Sequence, residues 1–180
     1  MALKPTIYKA QVALADMDRQ HYEDLTLTLA RHPSETLERL AVRLLAYCLN
    51  AGPGLEFGRG LSNTDEPALW QVQDNGDIAA WIEVGQPEPT RLRKACGRAA
   101  TVIVYAFGRS SGTWWQKERA ALEDLPRLEL WQFDWEEVEA AAKLLERGAQ
   151  LNVSVTGGVI YVDNGSASAS LEPQSLLRPS

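Results

Sequence analysis

The sequence is poor in the residues that build many common metal and catalytic centres. It has two cysteines, Cys48 and Cys96, and two histidines, His21 and His32, among 180 residues. The cysteines lie in apolar, helical-looking segments and form neither a disulfide framework nor a zinc motif, so we expect buried, reduced thiols. The histidines lie near turns and do not have metal-ligand spacing. The sequence therefore predicts neither a Cys/His metal site nor a Ser-His-Asp or Cys-His catalytic centre.

Long apolar runs are also missing. No stretch approaches the roughly 20 apolar residues that a membrane-spanning helix needs, and the N-terminal segment MALKPTIYKAQ has no apolar signal-peptide core. We therefore expect no membrane partner and a cytoplasmic location. The length fits a single domain, which we place at 1–165. The composition of 166–180 predicts a weakly structured tail.

Acidic residues are absent from one segment of a chain that is acidic overall. The net charge of −6 argues against a protein that coats nucleic acid nonspecifically. From Pro89 to Lys117, however, there is no Asp or Glu, and the charged residues there are Arg91, Arg93, Lys94, Arg98, Arg109 and Lys117. This local basic surface is compatible with one site for a phosphate or nucleic-acid ligand.

The predicted elements follow the order ββ-α-ββ-α-β-α-β-α-ββ. Alternating patterns predict antiparallel strands at 4–15 and 22–31, and an apolar stripe predicts a helix that begins near Pro33. The other predicted elements are strands at 67–73 and 78–84, a basic helix near 88–98, the buried strand TVIVYAF, a helix containing Trp114 and Trp115, a strand at 127–133, a helix at 135–147, and strands at 151–156 and 159–163. Helices between strands predict an α/β fold with a mixed central sheet flanked by helices.

A hairpin places two glutamates side by side. The Asn-Gly pair at 75–76 predicts a two-residue type I′ turn, which requires positive φ at both central positions. In that register Trp70 faces Trp81, and Glu66 and Glu83 share a face with their Cβ atoms about 7–8 Å apart. Two such carboxylates can hold one hard cation such as Mg²⁺. Because an unpaired carboxylate in an apolar strand is costly, the alternative is an ion pair between Glu83 and an arginine of the next helix.

Three long segments of the chain resemble one known family. They are HPSETLER, GLEFGRGLSNTDEPALW and WIEVGQPEPTRLRKACGRA, and together they resemble the YaeQ family over most of the chain. That family in turn is similar to a divergent branch of the PD-(D/E)XK nuclease superfamily. The resemblance implies a restriction-endonuclease-like α-β-β-β-α-β core, to which the N-terminal β-hairpin would be an addition.

The function that this resemblance implies is metal-dependent hydrolysis of phosphodiesters in nucleic acid. Mg²⁺ would be the cofactor, with Mn²⁺ as a substitute. The alternative is a noncatalytic relative that keeps the fold and binds nucleic acid or serves as a regulatory interaction protein.

The resemblance also assigns metal-site residues one by one. Glu66, or Asp65 beside it, takes the first acid position of the superfamily motif, and Glu83 takes the second. An acid on the preceding helix sometimes joins the metal site, and here Glu35 or Glu38 is the candidate.

The lysine that the motif expects after the second acid is missing. Gly85 occupies its position, and the neighbouring Gln86 could orient a water molecule but carries no charge. Lys94 on the next helix is the candidate replacement, because it shares a helix face with the other basic residues; the alternative is that Lys94 is a solvated surface charge. The predicted phosphate contacts are Arg91, Arg98 and, in the glycine-rich loop, Arg59.

Overall fold

The computed structural model describes residues 4–179, and the elements predicted from the sequence all form within them. The helices are α1 (Leu37–Asn50), α2 (Pro89–Cys96), α3 (Ser111–Glu123) and α4 (Trp135–Ala142). The strands are β1 (Thr6–Asp16), β2 (His21–Arg31), β3 (Leu55–Phe57), β4 (Leu69–Val72), β5 (Ile78–Val84), β6 (Ala99–Ala106), β7 (Leu128–Gln132), β8 (Ala149–Thr156), β9 (Val159–Asp163), β10 (Ser168–Leu171) and β11 (Gln174–Leu177). In the described part of the chain, no helix is long and apolar enough to cross a membrane.

The strands form two mixed sheets. One sheet has five strands in the order β10-β9-β8-β1-β2, and the other has six in the order β11-β7-β6-β5-β4-β3. The α/β class is therefore confirmed, but the prediction of one central sheet is wrong. The N-terminal hairpin is part of a second sheet because β1 pairs in parallel with β8, from Ala10 opposite Ala149 to Asp16 opposite Val155. Sequence alternation shows which face of a strand is buried but does not show which distant strand it joins.

Apolar side chains from both sheets and two helices form the main core. The buried cluster includes Leu14 of β1, Leu44 of α1, Val138 of α4 and Ile82 of β5. A second cluster lies on the other face of the six-stranded sheet, where Leu92 of α2 and residues of α3 pack. Side chains of β5 alternate between these two cores, so Glu83 points to the same face as Trp81, the face that α2 covers.

The hairpin between β4 and β5 differs from the predicted two-residue turn. The Gln73 backbone N–H donates to the Asp77 carbonyl at 2.8 Å, so three residues, 74–76, form the loop. Gly76 has a φ of +91°, whereas Asn75 does not have the positive φ that a type I′ turn requires. A bulge in the β4–β5 pairing compensates for the extra residue. The predicted pairing of Trp70 with Trp81 is therefore confirmed.

The prediction of a weakly structured tail at 166–180 is wrong for most of that segment. β10 pairs with β9 and β11 pairs with β7, so the tail adds an edge strand to each sheet. The Leu171 side chain is fully buried in the main core. The strands are only four residues each, too short and too rich in serine for the sequence pattern to predict them.

Candidate functional site

A cleft at the carboxyl end of β5 is lined by both predicted acids. It has a volume of about 260 Å³. Glu83 is the second-last residue of β5, and Glu66 comes from the loop that precedes β4. We call this site the β5 cleft; its charged and amide side chains are Arg39, Asn63, Glu66, Glu83, Gln86 and Arg91.

The Glu83 carboxylate is buried and hydrogen-bonded. Its exposed fraction is 5%, and its Oε1 atom accepts hydrogen bonds from Trp81 Nε1 at 2.8 Å and Arg91 Nε at 2.7 Å. Arg91 also donates to the backbone carbonyls of Thr64 and Glu66. The predicted alternative, an ion pair between Glu83 and an arginine of the next helix, is thus confirmed. This charge-assisted bond offsets the desolvation of a carboxylate in an apolar strand.

Glu66 lies at the mouth of the same cleft. Its Oε2 atom accepts a hydrogen bond from the Arg59 backbone N–H at 3.0 Å, and Arg59 Nε lies 3.6 Å from the same oxygen. Gly58 allows this loop to pack against the segment just before β4, because a Cβ atom at position 58 would lie 2.0 Å from the Pro67 carbonyl oxygen. The predicted anion contact Arg59 therefore pairs with Glu66, while its side chain stays mostly exposed.

A second cleft adjoins the first and contains predicted phosphate-binding residues from α2 and from the segment that follows it. It has a volume of about 300 Å³ and is lined by Thr64, Asp65, Trp81, Thr90, Arg91, Lys94, Ala95 and Arg98. We call it the α2 cleft. The Arg98 guanidinium lies 5.0 Å from the centre of the Trp81 ring, and Thr64 and Arg91 line both clefts.

Asp65 and Lys94 therefore lie beside the β5 cleft rather than in it. Both side chains are exposed, and both line the α2 cleft. The position of Gly85, by contrast, is open, because a Cβ atom there would meet no other atom within 4 Å. The structure thus brings Lys94 together with the predicted phosphate contacts Arg91 and Arg98.

Gln86 lines the β5 cleft with its amide held in place. The Nε2 atom donates to the Phe107 carbonyl at 3.0 Å and to Ser110 Oγ at 3.1 Å. Both donor hydrogens of the amide are used in these contacts. The amide oxygen accepts a hydrogen bond from Ser110 Oγ at 3.2 Å, so its second lone pair is the one through which Gln86 could contact a water molecule.

The two candidate helix acids have different surroundings. Glu35 has an exposed fraction of 3%, and Arg43 binds both of its carboxylate oxygens, at 2.9 Å from Nε to Oε2 and 2.7 Å from Nη2 to Oε1. Glu38 is half-buried in the first turn of α1. Among the described residues, the lining of the β5 cleft includes neither of them.

Arg39 is a cleft residue that the sequence interpretation missed. It projects from the first turns of α1, lines the β5 cleft and donates to Glu35 Oε2 through Nη1. Burial lowers the pKa of its guanidinium, and the attraction of Glu35 opposes that shift. The spacing of Glu35, Arg39 and Arg43 at four-residue intervals is the signal that could have predicted this cluster.

The β5 cleft has two carboxylates, Glu66 and Glu83, among its lining residues. Within residues 4–179, no group of three or more His, Cys, Asp and Glu side chains could hold a metal ion. Mg²⁺ in proteins keeps several water ligands and is often bound by only one or two carboxylates. Glu66 and Glu83 therefore provide the right kind of ligand, although Arg91 already contacts Oε1 of Glu83.

Comparison with known proteins finds close relatives along nearly the whole chain. The family model described as YaeQ protein matches residues 1–173. The chain is 41% identical over 165 residues to "Uncharacterized protein YaeQ" of Escherichia coli (strain K12), covering 91% of each. It is 38% identical to the Salmonella typhi protein of the same name, covering 100% of each.

Two solved structures are also similar. The crystal structure of the YaeQ protein from Xanthomonas axonopodis pv. citri has a TM-score of 0.94 and 41% identity, covering 97% of this chain and 99% of that one. The YaeQ protein from Pseudomonas syringae has a TM-score of 0.92 and 36% identity, covering 97% of each chain.

Proposed function

Because the chain belongs to the YaeQ family, we propose that it is a metal-dependent nuclease of the PD-(D/E)XK type, which binds nucleic acid and hydrolyses phosphodiesters. One observation carries the proposal. Glu66 and Glu83 line one cleft, and the basic residues Arg91, Lys94 and Arg98 line the cleft beside it. Such an enzyme needs acidic side chains that bind a cation and, next to them, basic side chains that bind phosphates.

The order of the elements supports the same assignment. The segment α1-β3-β4-β5-α2-β6 has the α-β-β-β-α-β order of a restriction-endonuclease-like core. Glu66 lies three residues before the first residue of β4, the second of the three consecutive strands, and Glu83 lies on the third. These are the positions at which the superfamily motif has its two acids.

The residues of the β5 cleft and the α2 cleft would have different roles in hydrolysis. Mg²⁺ held by Glu66 and Glu83 would supply positive charge to the phosphodiester as negative charge develops on it. Arg91, Lys94 and Arg98 would bind the phosphates of the strand, and the amide oxygen of Gln86 would orient the attacking water.

The second candidate function is nucleic-acid binding without hydrolysis. The contact between Arg91 and Glu83 favours it, because the guanidinium already supplies the positive charge that a cation would bring. Gly85 at the position of the motif lysine favours it too, since a nuclease of this type uses that charge to activate the nucleophile. In this case Arg91, Lys94 and Arg98 would bind phosphate, and the carboxylates would be structural.

Calorimetric titration with Mg²⁺ and with Mn²⁺ tests the metal site. We expect the wild type to bind one ion and Glu83→Gln to lose that binding, because the neutral amide is a far weaker ligand for a hard cation. Glu123→Gln is the matched control, since Glu123 pairs with Arg119 on the exposed side of α3. A wild type that binds neither ion would contradict the metal site.

A cleavage screen separates the two candidate functions. Labelled single-stranded, duplex and branched DNA and RNA are incubated with Mg²⁺, and the expected products disappear in Glu83→Gln. Cleavage that persists in this variant would come from another site or a contaminant. Binding of these substrates without cleavage, and without dependence on Mg²⁺, would instead establish the noncatalytic function.

A further inference from the structure

Four arginines and three carboxylates lie in or around the β5 cleft. Each of the three carboxylates in or behind the cleft has an arginine partner: Glu83 with Arg91, Glu66 with Arg59, and Glu35 with Arg43. Arg39 is a fourth arginine, and it shares the Glu35 carboxylate with Arg43. Two guanidinium groups therefore share one carboxylate, which leaves one positive charge in excess in this cluster, and the Glu83 carboxylate adds a further attraction to Arg39.

Arg39 is oriented by Glu35, which is itself fixed by several hydrogen bonds. Its partner Glu35 is fixed through both carboxylate oxygens by Arg43, whose side chain is 2% exposed. Glu35 is also fixed through its backbone, because its N–H donates to the His32 carbonyl and its carbonyl accepts from Arg31 Nε. A guanidinium with its orientation fixed in advance loses little conformational entropy when it binds a ligand.

The guanidinium of Arg39 is also partly removed from water. Its side chain is 19% exposed, and burial is the main cause that lowers its pKa. An arginine has five N–H donors, so the contact of Nη1 with Glu35 leaves others for the cleft that Arg39 lines. An anion bound in the cleft would replace the water that the Arg39 guanidinium has lost and would stabilise its charged form.

We propose that Arg39 is a phosphate-binding residue of the β5 cleft, with the buried pair of Glu35 and Arg43 as its positioning residues. The ligand group is a phosphate whose oxygens accept from the forked donors of the guanidinium. The choice of a nucleic-acid phosphate as the ligand rests on the proposed function. Glu35 then has a role different from metal binding: the carboxylate orients an arginine toward the substrate.

Calorimetric titration with pyrophosphate in a buffer containing EDTA tests the anion site apart from any metal. We expect Arg39→Gln to weaken binding by about tenfold or more, because it removes a charged hydrogen-bond donor from a partly buried site. Arg119→Gln on α3 is the matched control and is expected to bind as the wild type does. A wild type that does not bind pyrophosphate, or an Arg39→Gln variant with unchanged affinity, would overturn the proposal.

Arg39→Lys provides a second test that depends less on folding. Lysine keeps the charge but not the planar fork, so we expect affinity between those of the wild type and Arg39→Gln. Circular dichroism confirms that each variant is folded. If only Arg39→Lys folds, unchanged affinity in that variant overturns the proposal.

An oligonucleotide titration separates this inference from the proposed function. Fluorescence polarisation of a labelled single strand at several salt concentrations should show weaker binding and a salt dependence reduced by about one charge in Arg39→Gln. If no DNA or RNA probe binds while pyrophosphate binding still requires Arg39, the nucleic-acid function fails and the anion site stands. If oligonucleotides bind equally well to the wild type and Arg39→Gln, the role of Arg39 is rejected and the nucleic-acid function is retained.

Discussion

At the scale of single residues, each of the buried carboxylates Asp16, Glu35 and Glu83 has an arginine partner. Glu83 lies among apolar strand residues, and that sequence context alone indicated that it needs a cation or an arginine. Which arginine it contacts was decided by the way α2 packs on β5, since Arg91 reaches Glu83 Oε1 at 2.7 Å. The sequence therefore predicted the need for a partner, and the packing selected it.

Some buried side chains are neutral rather than ion-paired, and the buried thiol of Cys48 predicts a pH dependence of stability. Burial raises the pKa of its thiol from the ordinary 9.0 to about 12, and burial also raises the pKa of Tyr105. Above about pH 9 the unfolded chain releases the thiol proton while the folded chain keeps it, so the unfolded state binds fewer protons. The free energy of unfolding should therefore fall as the pH rises from about 9 toward 12.

Urea denaturation across this pH range measures the effect. We expect Cys48→Ala to show a shallower decline than the wild type, because the variant has one fewer group that titrates on unfolding. The remaining decline would include the contribution of Tyr105. Identical slopes for the two proteins would contradict the assignment.

At the scale of elements, the ion pair between Glu35 and Arg43, which lies behind the β5 cleft, joins β2 to α1. Arg43 on α1 binds Glu35 and also donates to the Ala30 carbonyl of β2 at 3.0 Å. Arg31 at the end of β2 donates to the Glu35 carbonyl at 3.0 Å. These bonds set the angle at which the chain leaves the strand and enters the helix, and that angle directs Arg39 into the cleft.

Removing Glu35 should therefore be strongly destabilising. Glu35→Ala leaves the Arg43 guanidinium buried without its carboxylate, which costs about 3–5 kcal/mol in comparable buried pairs. Glu38→Ala, three residues further on and half-buried, should change the free energy of unfolding by about 0.5 kcal/mol. Chemical denaturation of both variants measures the difference, and similar values for the two would contradict a structural role for the Glu35 pair.

The elements themselves were largely predictable because their local patterns are strong. Alternation predicted β1 and β2. The basic helix predicted near 88–98 forms as α2 but ends at Cys96, so Arg98 lies beyond the helix, although it lines the α2 cleft together with Arg91 and Lys94. The turn between β4 and β5 was not predictable in detail, because an Asn-Gly pair also fits a three-residue loop followed by a bulge. The bulge restored the register, so the prediction of Trp70 opposite Trp81 is confirmed despite the wrong turn.

At the scale of the whole molecule, the C-terminal segment connects the two sheets. β10 extends the five-stranded sheet and β11 extends the six-stranded sheet. Leu171, the last residue of β10, is fully buried. A chain that ends at residue 165 would expose an edge of both sheets and part of the main core. The tail is therefore a structural part of the domain.

Truncated chains test whether the C-terminal segment stabilises the domain. We expect a chain ending at residue 165 to unfold at a much lower temperature than the full chain, whereas a chain ending at residue 177 should keep its stability. Leu171→Ala should lower the free energy of unfolding by about 2–5 kcal/mol, as expected for a large-to-small change at a buried site. Thermal and chemical denaturation measure both effects, and a stable 1–165 chain would contradict this role of the tail.

The sequence by itself determined the elements, the α/β class, the family and the candidate residues, because these depend on local pattern and on residue type. Only the tertiary structure decided that β1 pairs with β8, that the described strands form two sheets, and that Glu35, Glu66 and Glu83 each have an arginine partner. Those outcomes depend on contacts between segments far apart in the chain. Arg39 shows the difference most clearly: its helical spacing is visible in the sequence, but its place in the cleft results from how α1 packs beside β5.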